Sequence, residues 1–281
     1  MKKIVTHLNP DLDAISSIWL LKRFLPGWEK AEVGFVPAGR TWEDEAADSD
    51  PNVLHVDTGM GMLDHHQTSD LTCATALTWD YVRQKRRGQP QSPLEQEAIG
   101  RMVGVVTAVD NARDLGWAEV GEDRFSFYLN NIIYGLKRIL IKDDELVEYV
   151  LVILDGLLRN LKDKVKAQEK INQEGVEFKT KWGKAVAVET GNEKVLWEAE
   201  VAGYVLVIKY DPDFLQRVKI YARFDSKVNL AKVYEEFKKI DPEADWFLHA
   251  TKRLLLISSA PDARGTSLKL EQIIDSLKEE K

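Results

Sequence analysis

The sequence predicts an α/β protein. A mainly parallel sheet covered by helices forms the N-terminal half, and a long helix joins it to a smaller α/β or α+β C-terminal domain. Three observations carry this expectation. Strand-like and helix-like segments alternate through the first half, the pattern of parallel pairing with helical crossovers. A helical pattern without Pro then runs from about Asp143 to Gln173. After Gly175 short strand-like runs return with a different rhythm. The domains implied are 1–140, a helical linker at 141–175 and a second domain at 176–281. A chain of 281 residues accommodates two domains of roughly 100–200 residues each.

Lys3–Val5 is a short apolar strand running out toward His7. Ala14–Leu25 carries an apolar face at helical spacing (Ala14, Ile18, Leu21, Leu25) and stops at Pro26-Gly27. Glu32–Pro37 and Asn52–Asp57 have strand composition. Thr75–Arg86 is a helix with Lys85, Arg86 and Arg87 at its C-terminal end, where cations suit the dipole. Ser92-Pro93-Leu94-Glu95 opens the next helix, with Ser as cap, Pro in the first turn and Glu closing a capping box. That helix extends through Ile99, Met102 and Val106 to about Val109. The long helix from Asp143 has one candidate break at Asp155-Gly156. In the second domain Ala185–Glu189, Tyr204–Tyr210, Lys219–Phe224 and Leu254–Ser258 are strand-like. Asn229–Ile240, stopped by Asp241-Pro242, and Ser267–Leu277 are helical.

Composition narrows the function. With 39 Lys plus Arg against 46 Asp plus Glu the net charge is −7, which argues against coating long nucleic acid, an affinity that rests on neutralising many phosphates. Short oligonucleotides and nucleotides remain compatible. Cys73 is the sole cysteine, so neither an intrachain disulfide nor a thiolate zinc site is expected. Met1–Val5 lacks the apolar stretch of a secretory signal, and no run approaches the ~20 apolar residues of a membrane span. The expectation is a cytoplasmic protein, with a homodimer left open.

Three segments place His and Asp at strand ends, where sites form in open α/β sheets. They are His7-Leu8-Asn9-Pro10-Asp11-Leu12-Asp13-Ala14, His55-Val56-Asp57-Thr58-Gly59 and Asp64-His65-His66. Three Asp and two His converging there without cations would repel strongly, and a pair of divalent metals resolves the conflict. Each segment also has a plain alternative as loop caps and turns, Asn-Pro-Asp being a good turn by itself.

These segments, in this order, resemble the DHH phosphoesterase family, and Val109-Asp110-Asn111-Ala112 adds a fourth matching element. The resemblance covers about 110 residues of the N-terminal half. The family includes oligoribonucleotide nucleases, RecJ-type exonucleases, cyclic dinucleotide phosphodiesterases and family II pyrophosphatases. It implies two metal sets: His7 and Asp11 for the first ion, Asp13, His65 and Asp110 for the second, and Asp57 bridging. Carboxylates with some imidazole suit Mn²⁺, with Mg²⁺ or Co²⁺ as substitutes. The resemblance assigns His66 to the substrate, binding the scissile phosphate or protonating the leaving group, and leaves Asp64 to orient an imidazole. Asp110 sits where the helix dipole disfavours a carboxylate, which suggests a compensating cation. Arg113 is an alternative cation and Asp114 a rival ligand.

Other residues carry less. His55 is expected in the core or steadying a ligand, His249 as structural and Cys73 as packing. The eight Trp are expected in cores or interfaces, although Trp42 beside Arg40 is a candidate for stacking on a base. In the second domain, Arg264, Gly265, Thr266 and Ser267 follow a strand and are expected to open a helix, an arrangement that favours an anion and the far end of a substrate. The plain alternative is a capped helix with a solvent-facing Arg. Where the family has a glycine cluster, this segment has one Gly.

The function expected is metal-dependent hydrolysis of a phosphoester in a small nucleotide or short oligonucleotide. A RecJ-type exonuclease would need a basic, aromatic-lined channel. The cations of the long helix (Arg159, Lys162, Lys164, Lys166, Lys170) are mixed with acids and read as a solvated face. A pyrophosphatase would want several converging Lys and Arg. A silent nucleotide-sensing module would be free to lose ligands, and these are intact.

Overall fold

The computed structural model describes residues 1–90, 92–139, 142–213 and 216–278, and the domain boundary expected at 140/141 lies outside them. The chain divides into two compact units, Met1–Leu161 and Lys162–Lys281.

In the first unit three parallel strands lie in the order β2-β1-β3, namely β1 (Lys3–His7), β2 (Glu32–Val36) and β3 (Val53–His55). The central strand β1 is buried at Ile4, Val5 and Thr6 and delivers His7 at its C-terminal end. Helix α1 (Leu12–Phe24) follows at once, capped by Asp11, whose carboxylate accepts from the Ala14 amide. Ten consecutive α1 residues, Leu12 to Leu21, are buried. The helix is therefore central rather than amphipathic, enclosed with α2 (Ala74–Lys85) and α3 (Pro93–Asp110) in one core. Ser92 caps α3 by accepting from the Glu95 amide, and Pro93 takes the first turn, as the sequence implies. Helix α4 (Leu129–Arg138) and the 3-10 turns before it went unread in the sequence.

Helix α5 (Asp143–Glu174) is one continuous helix through the candidate break at Asp155-Gly156. Asp155 does not cap a second helix. Its carboxylate accepts from Trp19 Nε1 at 2.8 Å and from the Arg23 guanidinium, tying α5 to α1. Leu146, Val147, Val150, Leu151, Leu154 and Leu158 enter the first core, while Ala167 and Ile171 belong to a cluster of the second unit.

The second unit is built on six strands in the order β4-β5-β6-β7-β9-β8. They are β4 (Val176–Thr180), β5 (Gly183–Glu189), β6 (Leu206–Asp211), β7 (Arg217–Ala222), β8 (Trp246–Leu248) and β9 (Leu254–Ile257). Among these described strands only β5 and β6 pair in parallel, with α6 (Lys194–Val201) as the crossover. One sheet face packs α7 (Ala231–Ile240) and α8 (Leu270–Asp275), and the other packs α6 and the last turns of α5. The closing helix starts at Leu270 rather than Ser267, because Thr266 and Ser267 are bound elsewhere, as described next. No described helix is long and apolar enough to cross a membrane.

Candidate metal centre

The loops at the C-terminal ends of β1 and β3, the start of α1 and the end of α3 converge on one cluster of carboxylates and imidazoles. Each side chain is held by its own local device. Nδ1 of His7 lies 2.8 Å from the Leu8 carbonyl. A carbonyl only accepts, so Nδ1 is protonated and Nε2 faces Asp57 Oδ2 at 3.3 Å. Asp13, 2% exposed, accepts from the first two amides of α2, Ala74 and Thr75, both at 2.7 Å. These amides have no partner inside their own helix, and the helix N-terminus suits the anion. Asp57 follows β3 with φ +54°, a left-handed conformation that costs a residue with a side chain about 1 kcal/mol or more and persists where its surroundings impose it. Asn9 in the first loop and Ala112 after α3 are left-handed as well.

His65 Nε2 stands 3.4 Å from Asp57 Oδ1, 3.6 Å from Asp110 Oδ2 and 3.8 Å from Asp13 Oδ2. His66 is exposed and donates from Nδ1 to Asp64 Oδ1 at 2.7 Å. Asp64, fully buried, also accepts from the Met60 and His66 amides. The Asp64 carboxylate thus orients His66, not the neighbouring His65.

Electrostatics record the crowding. Burial, followed by repulsion from Asp13, pushes the Asp110 carboxyl up to about 7. Burial and the neighbouring Asp13 and Asp11 lift Asp57 to about 6, against the opposing pull of His7. Burial disfavours a charged His7, but the hydrogen bond to Asp57 and the nearby carboxylates outweigh it and raise the ring to about 9. The hydrogen bond to Asp64 raises His66 above its ordinary range. Carboxylates reluctant to ionise side by side are the condition a multivalent cation relieves.

Among the described residues, three groups each bring their ligand atoms within 4.8 Å of one another: His7, Asp11 and Asp57; Asp13, His65 and Asp110; and Asp57, His65 and His66. Asp57 Oδ1 and His65 Nε2 are buried with no hydrogen-bond partner among the described residues, although 3.4 Å apart. Buried polar atoms are normally satisfied. An orphaned carboxylate oxygen and an orphaned imidazole nitrogen facing each other fit a divalent cation, so the residues present suit the metals their chemistry implies.

The other candidates fall elsewhere. Asp114 is buried but outside these groups, and Arg113 is exposed. His55 accepts from the Trp42 amide at 3.0 Å and pairs with Asp48, fastening the 41–48 loop to β3. Trp42 is half-buried: its ring packs on Gly34, where a Cβ would come within 2.7 Å of it, and Lys3 Nζ lies 3.9 Å from its centroid. Cys73 is buried, pushed up to about 12 by that burial. His249 bonds Thr251 in the β8–β9 turn. In the second unit Thr266 is buried and donates to Asp241 at 2.6 Å, and Ser267 donates to the same carboxylate at 2.8 Å. Neither hydroxyl caps a helix. Arg264 is exposed and pairs with Glu243 and Asp245. Gly265 and Ser267 border an open cavity of 440 Å³ with Pro212 and Gln216.

Two positioning residues have no sequence signal. Lys137 on α4 donates to the Asn9 carbonyl at 2.7 Å, and Asp143 accepts from the Asn9 amide at 3.0 Å. Together they clamp the left-handed residue between His7 and Asp11. Finding them needs α4 placed against the first loop, which no local pattern reveals.

No family description and no curated protein sequence matches the chain. Solved structures do align along it. An uncharacterized protein from Helicobacter pylori is 14% identical with a TM-score of 0.29, covering 98% of this chain and 97% of that one. The DHH domain of a protein described as belonging to a family of ribosomal proteins is 13% identical with a TM-score of 0.34, covering 99% and 88%. RecJ from Thermus thermophilus, solved in complex with Mg²⁺, is 14% identical with a TM-score of 0.27, covering 92% of this chain and 47% of that one. Likeness this distant says nothing of chemistry, which rests on the side chains described above.

Proposed function

We propose that the chain is a two-metal phosphohydrolase acting on a phosphoester bond in a small nucleotide or short oligonucleotide, as the DHH family it resembles in sequence does. One observation carries this most: two ligand sets built from separate loops share a neighbourhood in which Asp57 Oδ1 and His65 Nε2 are buried without a hydrogen-bond partner among the described residues. His7 and Asp11 would hold one cation, Asp13, His65 and Asp110 the other, and Asp57 both. Mn²⁺ suits this mixture of carboxylate and imidazole, with Mg²⁺ or Co²⁺ as substitutes. When bound, such a pair supplies Lewis-acid stabilisation of phosphoryl charge and acidifies a water.

The chain's own residues do the rest. The amides of α2 fix Asp13, the Leu8 carbonyl fixes the His7 tautomer, and Lys137 with Asp143 fixes the loop between them. His66, outside the implied ligand set, is held protonated at Nδ1 by Asp64. A charged imidazole there can bind a phosphate oxygen or give a proton to a leaving group. In the second unit Arg264 is the candidate for holding a substrate anion, with Gly265 and Ser267 at the cavity beside it. The net charge of −7 favours small anions held at metals over long polyanions.

The test is hydrolysis by the purified protein with Mn²⁺, Mg²⁺ or Co²⁺ on 2–5-mer RNA, cyclic dinucleotides, pyrophosphate and 3′-phosphoadenosine phosphate, with titration calorimetry of the metals alone. About two equivalents bound and turnover of at least one nucleotide substrate are expected. Failure to bind metal would remove the centre; binding without turnover of any substrate would leave a nucleotide sensor instead of an enzyme.

A further inference from the structure

Helix α5 buries one face in the first core, yet its opposite face is apolar where a solvated helix should be polar. Tyr149 is 59% exposed, Val152 67%, Ile153 38% and Leu157 37%. These residues and Gly156 form one stripe, and Tyr149, Val152, Gly156 and Arg159 repeat at spacings of three, four and three, the seam of paired helices. Of the charges flanking the stripe, Asp144, Glu145 and Glu148 lie before it, while Arg159, which has interactions within its own chain, lies after it and is followed by Lys162 and Asp163. Gly156 stands mid-helix with open space where a Cβ would be, so nothing among the described residues calls for a glycine.

We propose that this face binds a second copy of the chain, the two α5 helices packing antiparallel about a two-fold axis midway between Val152 and Ile153. The sequence is self-complementary about that point. Tyr149 lies as far before the axis as Gly156 lies after it, roughly 5 Å at the helical rise, so each tyrosine ring enters the gap left by the other copy's glycine. Val152 and Ile153 meet across the axis. Arg159, roughly 10 Å beyond it, falls between the other copy's Glu148 and Glu145 at roughly 7 and 11 Å. In the single chain Glu148 lies 4.0 Å from Lys22, so the new pair forms beside an existing one. A parallel arrangement would stack acid on acid and tyrosine on tyrosine. The antiparallel pairing matches an isologous two-fold interface, in which one patch serves both copies.

The experiment is sedimentation velocity of the full chain from about 1 to 100 µM, the micromolar range expected of a small interface. The unmodified chain should shift from monomer to dimer within this range. Gly156→Leu is the discriminating variant. It raises helix propensity and its added Cβ meets nothing within 4 Å among the described residues, so the melting temperature should hold or rise while dimerisation weakens at least tenfold. Arg159→Glu should weaken it as well, and combining it with Glu145→Arg and Glu148→Arg should restore it. A chain that stays monomeric to 100 µM, a dimer indifferent to Gly156→Leu, or a triple variant no better than Arg159→Glu alone would each overturn the proposal.

Discussion

At the scale of single residues, the centre separates groups that should hold metal from groups that should move protons. Asp57 faces His7 and His65 with different oxygens, so Asp57→Asn should lose metal and turnover together. Isothermal titration with Mn²⁺ checks this, and full metal occupancy in the variant would remove Asp57 from the bridging position. His66→Ala should behave differently. Asp64, not a cluster carboxylate, is its hydrogen-bond partner, so the metals should stay while rate falls by roughly 10²–10⁴-fold. Loss of a metal equivalent would instead move His66 into the ligands, a place its grouping with Asp57 and His65 allows. Arg264 tests the second unit. Its pairs with Glu243 and Asp245 are exposed and therefore weak enough to exchange for a substrate phosphate. Losing a charge-assisted bond made equally in ground and transition states costs roughly 1.5–3 kcal/mol, which raises KM by about 10- to 150-fold with kcat little changed. An unchanged KM would confine Arg264 to its surface ion pairs.

At the scale of elements, the legible parts were those whose cause is local. Ser92-Pro93 starts α3 as its chemistry dictates, and His7 and Asp110 stand at element ends, with Asp57 in the loop just after β3, because strands and helices stop there for readable reasons. What was illegible depends on distant partners. Asp155-Gly156 has the composition of a break, but Trp19 and Arg23 hold Asp155 and the helix runs on. Ser267 has the composition of a cap, but Asp241, 26 positions earlier, takes its hydroxyl. Asp241 also accepts from Thr266 and from Trp246 Nε1, so one buried carboxylate organises the segment from β8 to α8. Burial alone would raise this carboxyl, but the hydrogen bonds from Thr266, Ser267 and Trp246 hold it below the usual carboxylate range. A group depressed in the folded state contributes stability that is fully present above its unfolded value of about 3.9 and is lost as pH falls through the folded one. Asp241→Asn should therefore destabilise the second unit by about 1–3 kcal/mol near neutrality, and the deficit should shrink as pH drops below about 4. Urea melts at pH 7 and pH 3 check this; a deficit constant across that range would separate Asp241 from the acid response.

At the scale of the whole molecule, every residue of the three ligand groups lies between His7 and Asp110, inside the first compact unit, while the linking helix α5 donates its early apolar face to one core and its last turns to another. Two cores on one continuous helix raise the question of whether they unfold together, and the metals give a way to ask it. A ligand that binds only the folded state stabilises by RT ln(1 + [L]/Kd), about 2.7 kcal/mol at a hundredfold excess over Kd. Should the units unfold separately, that stabilisation belongs to the first alone. Native-state hydrogen exchange with and without Mn²⁺ then has a definite expectation: the slowest amides of β1 and α1 should slow by about a hundredfold, and those of β5, β6 and β7 should not change. The central strand of each sheet is the right reporter, because its amides exchange only when the surrounding core opens. Equal slowing in both sheets would mean that α5 couples the cores into one cooperative unit, and that Leu161–Lys162 marks a division of packing without a division of stability.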